Sequence, residues 1–216
     1  MIPSFSLLAI AAYLLGSVSS AILLCKIVYH QDIRDHGSRN PGANNVQRVF
    51  GWKAGISVFL FDFMKGVGAV SLVYLAPVSH DSEAFVQWQI VFGLCAFIGH
   101  LFPLFFQFRG GKGVAVLAGA MFAIHPWGAL MSIILFGVML GITRYTSVSV
   151  LCAAASYPLF VNLLFGLWLD PQIPYTIRIF SVVVALILPL THISNIKRLL
   201  QGKEKKFALK KPVRKV

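Results

Sequence analysis

Acid is what this chain has least of. Among its 216 residues seven are Asp or Glu against 19 Lys and Arg, and the only glutamates are Glu83 and Glu204. Charge of either sign is scarce, at 12% of residues, while 57% are hydrophobic and the mean hydropathy is +0.78. Soluble domains run at about 25% charged and 45–50% apolar, so a water-soluble fold would lack the polar surface to cover this core. Bilayer-spanning helices need no such cover, because they satisfy their own backbone and face lipid with Leu, Ile, Val and Phe. Cysteine is scarce too. Cys25, Cys95 and Cys152 fall in separate apolar segments without CxxC spacing or a nearby His, which excludes a zinc site and a disulfide framework and leaves them as packing residues. The first apolar run has no basic residue before Lys26 and exceeds the roughly 7–15 apolar residues of a secretory leader, so it reads as a retained helix.

A span takes roughly 20 apolar residues, and candidates lie at about 4–27, 53–76, 85–106, 112–125, 127–144, 146–168 and 173–194. The expectation is an all-α polytopic membrane protein: one bundle of about seven transmembrane helices over 1–202, with a basic tail at 203–216. The fourth segment is short and ends at Pro126, so a re-entrant hairpin is its alternative. Charge placement opposes the hairpin. With seven crossings and the N-terminus outside, every Lys and Arg except Lys65 and Arg178 falls on or beside the inner face, and the outer loops 76–84, 125–126 and 170–173 carry none. That distribution is the positive-inside pattern of a cytoplasmic C-terminus. A hairpin would place nine basic residues, Lys197 onward, outside. The net charge of +12 thus reports topology and anionic membrane lipid, and nucleic acid is not the implied partner.

Three polar islands interrupt the apolar pattern. The first, Gly37-Ser38-Arg39-Asn40-Pro41-Gly42-Ala43-Asn44-Asn45, is turn-forming by composition but denser in polar groups than a connecting loop requires. The second, Arg109-Gly110-Gly111-Lys112-Gly113, precedes the apolar run 114–124, where a helix N-terminus would present amides and positive dipole to an anion. It is not a P-loop, because Phe106 and Gly113 stand where that motif needs Gly and Ser or Thr. His192 and Asn195, spaced i,i+3 on what reads as one face of the last helix, form the third, with Lys197 and Arg198 beside them. All three fall at the same inner boundary, which suggests one site facing the cytosol. Asp62 and Lys65, also i,i+3, sit within the second span, where charges normally pair. His30 and Asp35 match an H-x-x-x-x-D acyltransferase spacing, but the Phe-Pro-Glu-Gly partner of that motif is absent.

Taken in order, these islands resemble the three motifs of the bacterial acyl-phosphate glycerol-3-phosphate acyltransferase family. The likeness runs over nearly the whole chain. It includes Gly99-His100 and Val114-Ala115 around the second island, His192-x-x-Asn195-Ile196-x-Arg198-Leu199-x-x-Gly202-x-Glu204 for the third, and Asp62-Phe63-Met64-Lys65-Gly66 in the second span. Arg39, Asn44 and Val116 depart from the residues usual at those positions. The resemblance implies a single transmembrane acyltransferase domain in the cell inner membrane that moves a fatty acyl group from acyl-phosphate to the 1-hydroxyl of glycerol 3-phosphate, releasing phosphate. By position it implies a catalytic cluster of Ser38, Asn40, His192 and Asn195. Substrate phosphate would be held by Arg48, Gly110, Gly111, Lys112, Gly113 and Ser147. Either His192 or a substrate phosphate oxygen would take the hydroxyl proton. No metal, nucleotide or other cofactor is implied. An anion or phosphate-lipid transporter is the rival reading, although a carrier would be expected to gather its polar residues near mid-membrane.

Overall fold

A computed structural model describes residues 4–207, so the tail residues Lys210, Lys211, Arg214 and Lys215 lie outside the described part. The described residues form ten α-helices and no strand. The first apolar run is a broken span. Helix α1 (Phe5–Ser17) and α2 (Ser20–Tyr29) meet at 41°, because Val18 is extended and the Ser19 hydroxyl caps a new helix at the Ile22 amide. A short helix α3 (Ala43–Phe50) carries the end of the first polar island and turns at Gly51 into α4 (Trp52–Ser71). Helix α5 (Glu83–Leu101) starts at a Ser82 cap, whose hydroxyl accepts from the Phe85 amide at 3.2 Å.

The fourth apolar segment forms only α6 (Val114–Ile124). Its 11 residues span about 16 Å at 1.5 Å each, half the roughly 30 Å of hydrocarbon. Pro126 then opens α7 (Pro126–Thr143), with the His125 ring accepting from the Gly128 amide at 3.1 Å. After α8 (Thr146–Leu159) the chain widens into a π-helix over Phe160–Leu169, just past Pro158, which cannot supply the amide an α-helix needs. Helix α9 (Tyr175–Thr191) and α10 (Ile193–Leu200) are bent by 63° at His192. His192 and Asn195 were expected on one face of a continuous helix, but His192 is the junction and Asn195 lies in the first turn after the bend. Pro189 near the end of α9 removes a backbone donor there, and the chain turns where that helix weakens.

All seven apolar segments are therefore helical. Four helices are long and apolar enough to cross a membrane, or up to six if each bent pair is one span. The main core runs through Phe97, Leu117, Tyr157 and Phe180, on α5, α6, α8 and α9. Large apolar side chains such as Phe61, Ile142, Leu163 and Trp168 remain exposed on the outer surface, as lipid-facing residues do. In this bundle α1 packs on α5, α4 on α6, and α7 on α8. This packing brings the chain segments 32–48, 107–113, 146–147 and 192–205 around one cavity.

Candidate active site

Local hydrogen bonds shape the first polar island before any ligand is considered. The Asn45 side chain stitches it, with Oδ1 accepting from the Ser38 amide at 2.8 Å and Nδ2 donating to the carbonyl of His36 at 3.0 Å. Gly37 stands at φ +63°, and a Cβ there would overlap that same Asn45 oxygen; both the turn and the close approach need glycine. Ser38 is thereby held exposed at the cavity wall, with Asn40 beside it. Arg34, clamped by Asp32 at 2.7 Å, also donates to the Phe106 carbonyl at 3.3 Å and so ties the chain just before this island to the chain just before the second.

Glycines 110 and 111 do something other than expected. Their amides donate to the carbonyls of Leu101 and His100, at 3.2 and 3.1 Å, so neither is turned toward an anion. Gly111 does not line the cavity at all. The space where its Cβ would project is filled by the His100 ring and, at 2.8 Å, by the Pro41 carbonyl. The amides of Gly110 and Gly111 are thus already engaged within the chain, and the two glycines form a strip laid flat on the end of α5, with Gly110 at the cavity wall. The amides with no intrahelical partner begin after them, in the first turn of α6, where Gly113 caps without a side-chain hydrogen bond.

Ser38, Asn40, Arg48, Gly110, Lys112, Gly113, Ser147, His192 and Asn195 all line one cavity of about 1440 Å³. His30 stands outside it at the end of α2, so the H-x-x-x-x-D pair is not assembled there. The cavity wall is polar at the loops and apolar where Ile56 and Phe59 of α4 and Phe136 and Leu140 of α7 line it.

Two residues given no role beforehand, Arg198 and Glu204, complete the polar network. Asn195 Nδ2 donates to Ser147 Oγ and to Glu204 Oε1, each at 2.7 Å, and Ser147 Oγ donates to the same carboxylate oxygen at 2.7 Å. Arg198 Nε holds the other oxygen at 2.7 Å, and Lys112 Nζ donates to Asn195 Oδ1. Burial alone would raise the Glu204 carboxyl, but the bonds from Ser147, Arg198 and Asn195 outweigh it and hold the group below its ordinary value. Desolvation, then the Arg198 charge, pushes Lys112 down to about 8, with Glu204 opposing. Burial likewise lowers Arg48, though a guanidinium stays charged. Three cations thus surround one carboxylate. A surplus of positive charge in a partly desolvated pocket is what a phosphorylated molecule would neutralise.

His192 is oriented by its own helix. Its Nδ1 lies 2.9 Å from the Leu188 carbonyl, which can only accept, so Nδ1 carries the proton and Nε2 keeps the lone pair.

Fold and site together define a polytopic helical membrane protein with a cation-lined cavity at one end of its bundle. A model of the glycerol-3-phosphate acyltransferase family matches residues 6–202. Glycerol-3-phosphate acyltransferases of Chlorobaculum parvum and Macrococcus caseolyticus are each 36% identical, covering 94% and 95% of this chain and 97% and 98% of their own. The crystal structure of PlsY, an integral membrane glycerol 3-phosphate acyltransferase in its glycerol 3-phosphate form, superposes with a TM-score of 0.82 at 33% identity, over 95% of this chain and 96% of that one. A lysophosphatidic acid form of PlsY matches with a TM-score of 0.78. The chain belongs to the glycerol-3-phosphate acyltransferase family.

Proposed function

We propose that the acyl donor is a fatty acyl-phosphate, transferred to the 1-hydroxyl of glycerol 3-phosphate to give 1-acylglycerol 3-phosphate and inorganic phosphate. The observation that carries this reading is the convergence of Arg48, Lys112 and Arg198 with Ser38, Asn40, His192 and Asn195 on one cavity. Three cations exceed what one phosphate needs, and two phosphorylated substrates would use them. An acyl-phosphate also suits the residues present. It is a mixed anhydride whose leaving phosphate is a weak base, so no general acid is required, and the Glu204 carboxylate is already bound by Ser147, Asn195 and Arg198.

In this reading Arg48 and Lys112 hold the glycerol 3-phosphate phosphate, with Ser147 adding a hydroxyl. Ser38, Asn40 and Asn195 surround the carbonyl, and amide or hydroxyl donors aimed at its oxygen stabilise the developing oxyanion. The glycerol 1-hydroxyl attacks the acyl carbon, its proton passing to His192 Nε2 or to a substrate phosphate oxygen. The C–O bond to phosphate then breaks and phosphate departs with the bonding pair. The acyl chain lies along the apolar wall between α4 and α7, so lipid and water-soluble substrates meet at one boundary. This is the first acylation step of phospholipid synthesis.

The same reading takes all seven apolar segments as crossing the cell inner membrane, with the N-terminus outside and the cavity on the cytoplasmic face. Lys112 before α6 and Ser147 after α7 border one cavity, as two successive crossings require, and the basic residues follow the positive-inside pattern. The test of the donor is direct. Purified protein should release phosphate from acyl-phosphate only when glycerol 3-phosphate is present. Acylation from an acyl thioester with no phosphate released from acyl-phosphate would reject it.

A further inference from the structure

Beneath the glycine strip lies a cluster of buried charge that the reaction above does not use. Asp62 is 2% exposed, Lys65 8% and His100 6%. Lys65 Nζ spends its three protons on three acceptors: Asp62 Oδ1 at 2.9 Å, the Val18 carbonyl at 2.8 Å and His100 Nδ1 at 3.0 Å. Ser20 Oγ donates to the same Asp62 oxygen at 2.8 Å. An ammonium has no lone pair, so His100 Nδ1 is the acceptor and the ring proton sits on Nε2, the nitrogen that fills the space beside Gly111.

One structural need is evident here. Val18 lies at the break between α1 and α2, and its carbonyl must find a donor inside the bilayer. A single hydroxyl would meet that need, whereas a carboxylate and an ammonium within a span are costly. The rest of the cluster points toward the active site. His100 accepts the Gly111 amide on its carbonyl, its ring packs where Gly111 lacks a side chain, and both Asp62 and His100 border the cavity. The next residue along the strip is Lys112.

We propose that Asp62, Lys65 and His100 are positioning residues for the acyltransferase reaction: the ion pair fixes His100, His100 fixes the Gly110–Gly111 strip, and the strip sets where the Lys112 ammonium meets substrate phosphate. The proposal rests on Lys112 contacting that phosphate. The cluster does not touch substrate. It acts by placement, and a displacement of about 1 Å at a charge-bearing group is enough to cost up to a hundredfold.

The experiment is a kinetic cycle on purified full-length enzyme. Replacing both ionic partners, Asp62→Asn with Lys65→Gln, leaves no orphan charge and keeps an amide donor for the Val18 carbonyl. The thermal midpoint should stay near wild type while KM for glycerol 3-phosphate rises about tenfold or more. Gly111→Ala, which pushes the strip off the His100 ring with the ion pair intact, should raise the same KM. The combined variant should show less than the product of the two effects, because both act through one contact. A folded paired variant with wild-type KM and kcat overturns the proposal, as do effects that simply multiply. Should the paired variant fail to fold, His100→Asn, which alters no formal charge, is measured in the same cycle under the same criteria. An unchanged KM in Lys112→Met rejects the phosphate-site reading on its own, and leaves the coupling between Gly111 and the cluster to be judged by its cycle.

Discussion

Lys112 makes the proposed phosphate site testable by pH as well as by substitution. Desolvation and the neighbouring Arg198 bring its ammonium down to about 8, from an ordinary value near 10.4. A base titrating there is charged below that pH and neutral above it. The glycerol 3-phosphate phosphate, with a second pKa of about 6, is already a dianion throughout this range, and its charge raises the Lys112 value in the complex. Binding above pH 8 therefore takes up a proton, and KM for glycerol 3-phosphate should climb by up to about tenfold per pH unit. Removing the charge outright should act at every pH. A charge-assisted bond contributes about 1.5–3 kcal/mol, and about 1.4 kcal/mol is tenfold, so Lys112→Met should raise KM by roughly ten- to a hundredfold at pH 7. It should also abolish the alkaline rise, whereas Lys112→Arg, charged at all working pH values, should flatten the profile while keeping part of the affinity. Steady-state phosphate release across pH 6.5 to 9.5 reads all three. The same alkaline slope in Lys112→Met would refute the assignment, because some other group would then be titrating.

Three further outcomes follow from the site. His192→Ala and Ser38→Ala should each leave a membrane-inserted protein releasing almost no phosphate, and the double variant should lose little more, since groups that act as a unit are non-additive; full activity in His192→Ala would remove it from the site. Direct attack on the anhydride predicts no acyl-enzyme, so acyl-phosphate alone should give no phosphate burst, and an acylated Ser38 found by mass spectrometry would contradict it. A cysteine replacing Ser82 should react with an impermeant thiol reagent in intact cells and one replacing Gln201 should not, and the reverse labelling would invert the orientation.

Much of the bundle was legible because hydropathy is a strong signal over 20 residues, and because the three polar islands stand out against it. The breaks were not. Ser19 beside Val18 offers a local cap, but the donor that satisfies the Val18 carbonyl at the break is Lys65, which lies 47 positions away. Pro189 was visible, but a proline near a span end fits a continuous helix as well as a bent one. At the site, the residue types pointed to phosphate, and nine of the ten assigned positions do border the cavity. Gly111 stands off the cavity wall, which its sequence could not show, because a glycine that admits a ligand and a glycine that admits a neighbouring side chain look alike there. Glu204 and Arg198 had no separate role in the reading for a related reason: a lone carboxylate in a basic segment acquires meaning only when Ser147 and Asn195 are folded against it.

The cavity gathers its cations at one end of the bundle, and that has an electrical consequence. A reaction that took phosphate in on one side and released it on the other would move charge through the transmembrane field, worth about 2.3 kcal/mol per elementary charge per 100 mV. In the proposed reaction glycerol 3-phosphate enters and inorganic phosphate leaves by the same mouth, while the acyl chain that moves sideways through the hydrocarbon carries no charge. Turnover by that route is electrically silent, so the enzyme in sealed vesicles should make this lipid at the same rate with and without an imposed membrane potential.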